Sequence, residues 1–143
     1  MDPVQVEQWS TFAESAPELA AHCATRLESG LSYLSTVRPD GWPRTHPVGL
    51  HVRSGRLVVP MAPRSPKGGD LRRDGRFAAH CTVEDSNGGG GEVLVTGRAR
   101  EIEPDDDHRA RGWIAFELLP GEVQSVRTVD GARVVERWGP AAN

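Results

Sequence analysis

The chain has 143 residues and a mass of 15.5 kDa, with 17 Lys+Arg against 20 Asp+Glu and a net charge of −3. That is the size of one domain, large enough to bury a core without disulfide staples. The acidic balance argues against holding nucleic acid by bulk charge, and no apolar run approaches the ~20 residues that cross a bilayer. Gly 16 and Pro 11 point to many turns, hence to short strands rather than a helix bundle.

In chain order, the first thirty residues read as helix. Val6, Trp9, Phe12, Ala13 and Ala16 fall at three- and four-residue steps on one face, behind Asp2 and Pro3 as cap and first turn. A second helix starts at Ser15-Ala16-Pro17-Glu18, which has capping-box spacing. It carries Leu19, Cys23 and Leu27 on its buried stripe and ends at Gly30. The period then changes to two. Strands are predicted over 31–38 and 44–53, joined by a turn at Pro39-Asp40-Gly41. Ser54-Gly55 closes a second hairpin into Leu57, Val59 and Met61. Residues 65–74 read as a short helix, 76–83 as a strand, 84–91 as a glycine-rich loop and 92–102 as a strand. Residues 104–111 form a polar, acidic connection. Strands over 113–118, 123–129 and 132–138 finish the chain, the last two joined by Asp130-Gly131 as a type I′ turn. Seven or eight short antiparallel strands suggest a small closed barrel, with a sandwich as the alternative.

The start of the chain has no basic region and no apolar h-region, so no signal peptide is read there. Cys23 and Cys81 make no disulfide framework. The expectation is a soluble cytoplasmic protein with reduced thiols.

Two segments carry candidate chemistry. In Ser65-Pro66-Lys67-Gly68-Gly69-Asp70-Leu71-Arg72-Arg73, Ser65 is placed to cap and Pro66 sits at the first helical position. The first turn holds a lysine and two glycines but no carboxylate, although the positive end of a helix favours one. An open positive end with an added cation suits a bound phosphate, and glycines let a ligand approach the amides. The plain alternative is a surface helix start with a solvated lysine. In Pro43-Arg44-Thr45-His46-Pro47-Val48-Gly49-Leu50, the face of Val48, Leu50 and Val52 runs back to His46 and Arg44. Pro47 gives no ladder donor and Gly49 no side chain, which suits close approach of a flat ring; a bulged edge strand is the alternative.

Other groups are weaker. The five histidines and two cysteines do not fall at structural-zinc spacing, and no metal site is read. Cys81 reads as core, Asp105-Asp106-Asp107 as a solvated loop, and Trp42 and Trp138 as the tryptophans most free to stack.

The run from Leu34 through Arg38-Pro39-Asp40-Gly41-Trp42-Pro43-Arg44-Thr45-His46-Pro47-Val48, the segment from Ser65-Pro66-Lys67-Gly68 to Arg76, and Val95-Thr96-Gly97-Arg98-Ala99 follow one another in a familiar order. Together they resemble the pyridoxamine-phosphate-oxidase-like split-barrel family, with its flavin- and deazaflavin-dependent oxidoreductases. The resemblance covers about residues 5–140. It implies one mainly β domain over 1–143: leading helices over 1–30, then an antiparallel Greek-key split barrel of the FMN-binding type, six-stranded, over 31–140. It implies a homodimer with cofactor sites at the interface, and a small-molecule substrate rather than nucleic acid or membrane. The cofactor would be FMN, or alternatively the deazaflavin coenzyme, and its phosphate would sit at Ser65, Pro66, Lys67 and Gly68. Residues Arg44, Thr45, His46, Pro47, Val48 and Gly49 would lie along the ring, with Pro60 and Met61 nearby. The ending Arg137-Trp138-Gly139-Pro140 is similar to the family's Arg-Leu-Ala-Pro, which brings Trp138 into the candidate set.

Three departures bear on function. Val126-Arg127-Thr128-Val129-Asp130-Gly131 stands where the vitamin B6 oxidases carry Arg-Leu-His-Asp-Arg, which argues against that substrate. Ser65-Pro66-Lys67 lacks the middle arginine of the Ser-Arg-Lys pattern, leaving Arg64 or Arg72 to replace it; with Lys67 and Arg73 they would also suit a longer anionic tail. The 104–111 connection is short, which would open the pocket. The expected activity is hydride transfer to or from a small substrate. Alternatives are a non-catalytic flavin or haem/tetrapyrrole-binding barrel, and a barrel whose site has decayed.

Overall fold

The computed structural model describes residues 5–139. The expected cap at Asp2 and Pro3 and the terminal Pro140 lie outside them.

The leading helix is shorter than its pattern suggests. Two helices, α1 (Trp9–Ser15) and α2 (Pro17–Glu28), meet at Ala16, whose φ of −142° breaks the helical path. Val6 precedes α1 rather than lying on it. The expected capping box does not form: Ala16 is the N-cap residue of α2, and the Ser15 hydroxyl donates to the Phe12 carbonyl at 3.1 Å, closing α1 instead.

The strands are β1 (Ser32–Val37), β2 (Pro43–Val48), β3 (His51–Arg53), β4 (Arg56–Met61), β5 (Arg76–Cys81), β6 (Glu92–Ile102), β7 (Ile114–Val129) and β8 (Ala132–Trp138). A third helix, α3 (Pro66–Arg73), follows β4, and a fourth, α4 (Asp106–Ala110), follows β6. All strand pairs are antiparallel, in the order β2-β1-β5-β6-β7-β4-β3, with β8 paired to the far half of β7. The fold is a mainly antiparallel split barrel with few helices. Among the described residues it has eight strands, within the seven or eight read from the alternation and two more than the resemblance implied.

Two differences from the expected strands have physical causes. The single strand over 44–53 is split at Gly49-Leu50 into β2 and β3, which stand at opposite ends of the strand order yet are consecutive in the chain. The sheet must curl for this short link to join them, and buried Leu50 pins the corner to the core. Conversely, the two strands expected over 113–129 are one, β7. Its first half pairs with β4 and its second with β8, while β6 runs along both. Pro120, which cannot donate to a ladder, is accommodated at a bulge, where the β6–β7 register shifts between Thr96 and Gly97. Gly97 is required there: a Cβ would come 2.0 Å from the Leu119 carbonyl oxygen.

The core gathers Trp9 and Phe12 of α1, Leu27 of α2 and the inward sides of the strands, among them Leu34, Val59 and Phe116. Asp130 (φ 50°) and Gly131 (φ 80°) both take positive φ, as the predicted type I′ turn needs. Among the described residues, no helix is long and apolar enough to cross a membrane.

Candidate functional site

The site is built where α3 lies across the sheet, packed on β1 and β6. Ser65 is the N-cap residue of α3 and Pro66 its first helical residue, as expected, and the first turn carries no acid. The Ser65 hydroxyl does not cap the backbone. It accepts from Lys67 Nζ at 2.7 Å instead. Burial alone pushes the Lys67 pKa down, with no carboxylate opposing it. A half-buried ammonium neutralised by no acid is a group that gains from an anion.

The two glycines of this turn do different things. Gly68 is buried, and a Cβ there would meet Met61 Sδ at 3.1 Å and Ile114 Cδ1 at 3.3 Å, so its bareness seats α3 on the barrel. Its amide already donates to the Ser65 carbonyl at 3.0 Å. Gly69 faces open space. Thus only Gly69 leaves room for a ligand, although its amide also reaches the Ser65 carbonyl, at 3.5 Å. Met61 itself is core beneath α3.

Asp70, one turn beyond Lys67, was not singled out from sequence and organises the site. It is 2 % exposed and lies beneath the β1–β2 hairpin. Its Oδ2 accepts from Thr36 Oγ1 at 2.7 Å and from Arg44 Nε at 2.7 Å, and Arg73 approaches Oδ1 at 3.4 Å. Burial pushes the carboxyl up, but the bonds from Arg44 and Thr36, with the Arg44 charge and Arg73, outweigh it and hold the pKa below the ordinary value. Thr36 and Arg44 are direct cross-strand partners, so one carboxylate clamps both strands to α3. The available signal was Arg44 itself. An arginine on the inner face of a strand needs a buried counter-charge, and Asp70 is the acid of the following helix.

Along β2, the burial pattern places Arg44, His46 and Val48 on one side and Thr45 and Pro47, both exposed, on the other. His46 is half-buried opposite Leu34, Thr45 Oγ1 bonds Ser35 Oγ at 2.9 Å, and Pro47 lies opposite Tyr33. β2 ends the strand order and pairs only with β1, so its second edge is open among the described residues. Gly49 follows at the corner.

Other expected members stand apart. Arg72 is directed away, bonded twice to Glu101 at 2.7 Å, while Arg64 is exposed at the approach to α3. Arg73 holds the Val37 carbonyl. Trp138 is not free to stack: its ring centroid is 4.8 Å from that of Phe12, and Nε1 donates to Ser15 Oγ at 2.8 Å. Trp42 is 69 % exposed. Asp105, Asp106 and Asp107 are exposed as expected, but the last two begin α4 rather than lie in a loop, and Asp105 caps that helix, accepting from the His108 amide at 2.8 Å. Cys81 is buried, and no cluster of three metal-ligating side chains occurs among the described residues.

Pro60 lies outside the core, paired with Ala115, on the floor of a cleft of about 730 Å³. The β3–β4 hairpin contributes His51 and Arg56 to its walls, and the segment around α4 contributes Glu103 and His108. Next to it lies Glu117, fully buried and bonded through Oε1 to Arg100 at 2.7 and 3.0 Å, while Oε2 has no hydrogen-bond partner among the described residues.

Comparison with known proteins fits this architecture. No curated protein matches the chain in sequence. Solved structures share the fold at low identity. PhzG from Burkholderia lata 383, solved with tetrahydrophenazine-1-carboxylic acid, is 14% identical over 93% of this chain and 87% of its own, with a TM-score of 0.63. A heme binding protein from Mycobacterium smegmatis is 17% identical over 81% of this chain and 57% of its own, at 0.57. An F420 reductase is 18% identical over 69% of this chain and 93% of its own, at 0.56. The family profile described as pyridoxamine 5'-phosphate oxidase matches residues 19–136, a span that contains the α3 site, strands β1 to β7 and most of β8. The chain therefore belongs to the pyridoxamine 5'-phosphate oxidase family.

Proposed function

We propose that the protein is a flavin-dependent oxidoreductase that binds FMN through the start of α3 and acts on a small substrate. The observation that carries this is Lys67, half-buried, bonded to Ser65 and unopposed by any acid in the first turn of the helix. Lys67 and Ser65 hold the phosphate, with Arg44 contributing from the adjoining strand. The open edge of β2, with His46 on its inner side, lines the ring. When bound, the flavin supplies the hydride-transfer chemistry. The protein supplies position, and the cleft beside Pro60 provides room for the substrate. No side chain is assigned as acid or base.

FMN is favoured over the deazaflavin coenzyme, because two of the three arginines that a longer anionic tail would use are engaged, Arg72 by Glu101 and Arg73 by the Val37 carbonyl and Asp70, which leaves Arg64 alone for such a tail. A non-catalytic tetrapyrrole-binding barrel is the second reading. The likeness to the mycobacterial heme binding protein supports it, and His46 is its candidate axial ligand.

The functional unit is proposed to be a homodimer. Leu31, Tyr33 and Trp42, exposed around the β1–β2 hairpin, favour a covered face. Sedimentation at micromolar concentration tests it, and a monomer would overturn it. Two buried free cysteines are in keeping with a cytoplasmic location.

The deciding experiment titrates FMN, the deazaflavin coenzyme and haem separately, by fluorescence and absorbance. Tight FMN binding supports the oxidoreductase reading. Binding of the coenzyme alone replaces the cofactor, a Soret band moves the protein to tetrapyrroles, and no binding overturns all three.

A further inference from the structure

Arg44 uses one nitrogen, Nε, on Asp70, and its two terminal nitrogens have no hydrogen-bond partner among the described residues. Its side chain keeps 26% of its surface exposed, so those donors face outward rather than into the core. Asp70 is fixed independently of Arg44, by Thr36 from β1 and by its place on α3. The carboxylate therefore acts as a rigid stop. It holds the guanidinium by its inner edge and leaves the fork of terminal N–H groups, the part that matches a phosphate bidentately, unoccupied, and Asp70 itself stands about one helical turn from Lys67 on α3.

We infer that Asp70 is a positioning residue for the phosphate, acting through Arg44. This rests on the proposed FMN reading and assigns within it how the missing middle arginine of the Ser65-Pro66-Lys67 segment is made good. The second cation comes from β2 and is aimed by a buried acid. The idea carries a distinctive sign. An acid that merely sat near a phosphate would repel it, and its removal would tighten binding. An acid that aims an arginine strengthens binding, and its removal weakens it.

The test compares FMN with riboflavin, which lacks the phosphate, on the full chain. Asp70→Asn is expected to weaken FMN roughly tenfold while changing riboflavin by less than about twofold. Thr36→Val leaves every charge in place and loosens the carboxylate, so it weakens FMN in the same direction by roughly threefold. Arg44→Gln matches the loss in Asp70→Asn, and the double variant adds little to either. Tighter FMN binding by Asp70→Asn, or an equal loss for both ligands, overturns the inference and leaves the FMN reading standing. If the unaltered protein holds FMN no better than riboflavin, the phosphate reading itself falls and takes the inference with it. Should Asp70→Asn fail to fold, unchanged FMN affinity in Thr36→Val overturns the inference.

Discussion

Lys67 Nζ donates to Ser65 Oγ at 2.7 Å across the first turn of α3, and no carboxylate among the described residues pairs with it. A charge-assisted bond to phosphate at such a position contributes about 1.5–3 kcal/mol. Lys67→Ala is expected to weaken FMN by that amount in a fluorescence titration and to leave riboflavin unaffected. Equal FMN affinity in the variant removes the phosphate from α3.

Burial lowers the Lys67 pKa, so the ammonium is lost at a lower pH than that of a free lysine. The attraction for phosphate is complete while Lys67 is charged and disappears as the pH rises through its lowered pKa. FMN affinity should therefore fall on the alkaline side relative to riboflavin. Lys67→Arg, which stays charged, should hold it level. Titrations between roughly pH 7 and 10 separate the two.

Asp70 has the opposite dependence. Its native pKa lies below the ordinary carboxylate value, so its contribution to stability is full above that range and is lost as the pH falls through the native pKa. Denaturant unfolding of the unaltered protein should show stability falling below roughly pH 4, and Asp70→Asn should flatten that acid limb. An identical acid limb in both would show that the clamp on Thr36 and Arg44 contributes nothing to folding.

At Gly97 the expected effect is on folding alone. A Cβ 2.0 Å from the Leu119 carbonyl oxygen cannot be relieved by a side-chain movement, because the obstacle is backbone. Gly97→Ala should cost about 3 kcal/mol or more and appear as a large loss of melting temperature or of soluble protein. Near-native stability would mean that β6 and β7 do not approach this closely.

Cys23 is fully buried, and burial, followed by the charge of Glu136 and by Cys81, pushes its thiol up to about 12. Cys81 is equally enclosed. Neither should react with a thiol reagent in the native protein, and both should titrate after denaturation. Fast native labelling would contradict the packing of α2 on the sheet.

The local signals in the sequence were strong where one element answers to its own residues. Alternation marked β1, β4, β5 and β6; Pro66 and the acid-free first turn marked α3 and its lysine; Asp130-Gly131 marked the last hairpin, whose φ values follow from those two residues. The same local logic misassigned Ser15, because a capping-box spacing does not say which of two abutting helices the hydroxyl will serve. It also divided β7 at Pro120-Gly121, because the bulge that carries the strand through depends on Gly97, some twenty residues earlier.

The sequence by itself determined the antiparallel β character, the cation at an open helix start and the order of motifs that places the chain in its family. The tertiary structure alone decided which charges remain available there. Arg72 and Arg44 look equivalent along the chain, yet Glu101 takes both Nε and one terminal nitrogen of the first, while Asp70 takes only Nε of the second. The difference arises from β6 and β2 meeting α3 on different sides. Ion pairs between residues 26 and 29 positions apart are set by how strands pack against a helix, a long-range geometry that no local pattern of residue types encodes.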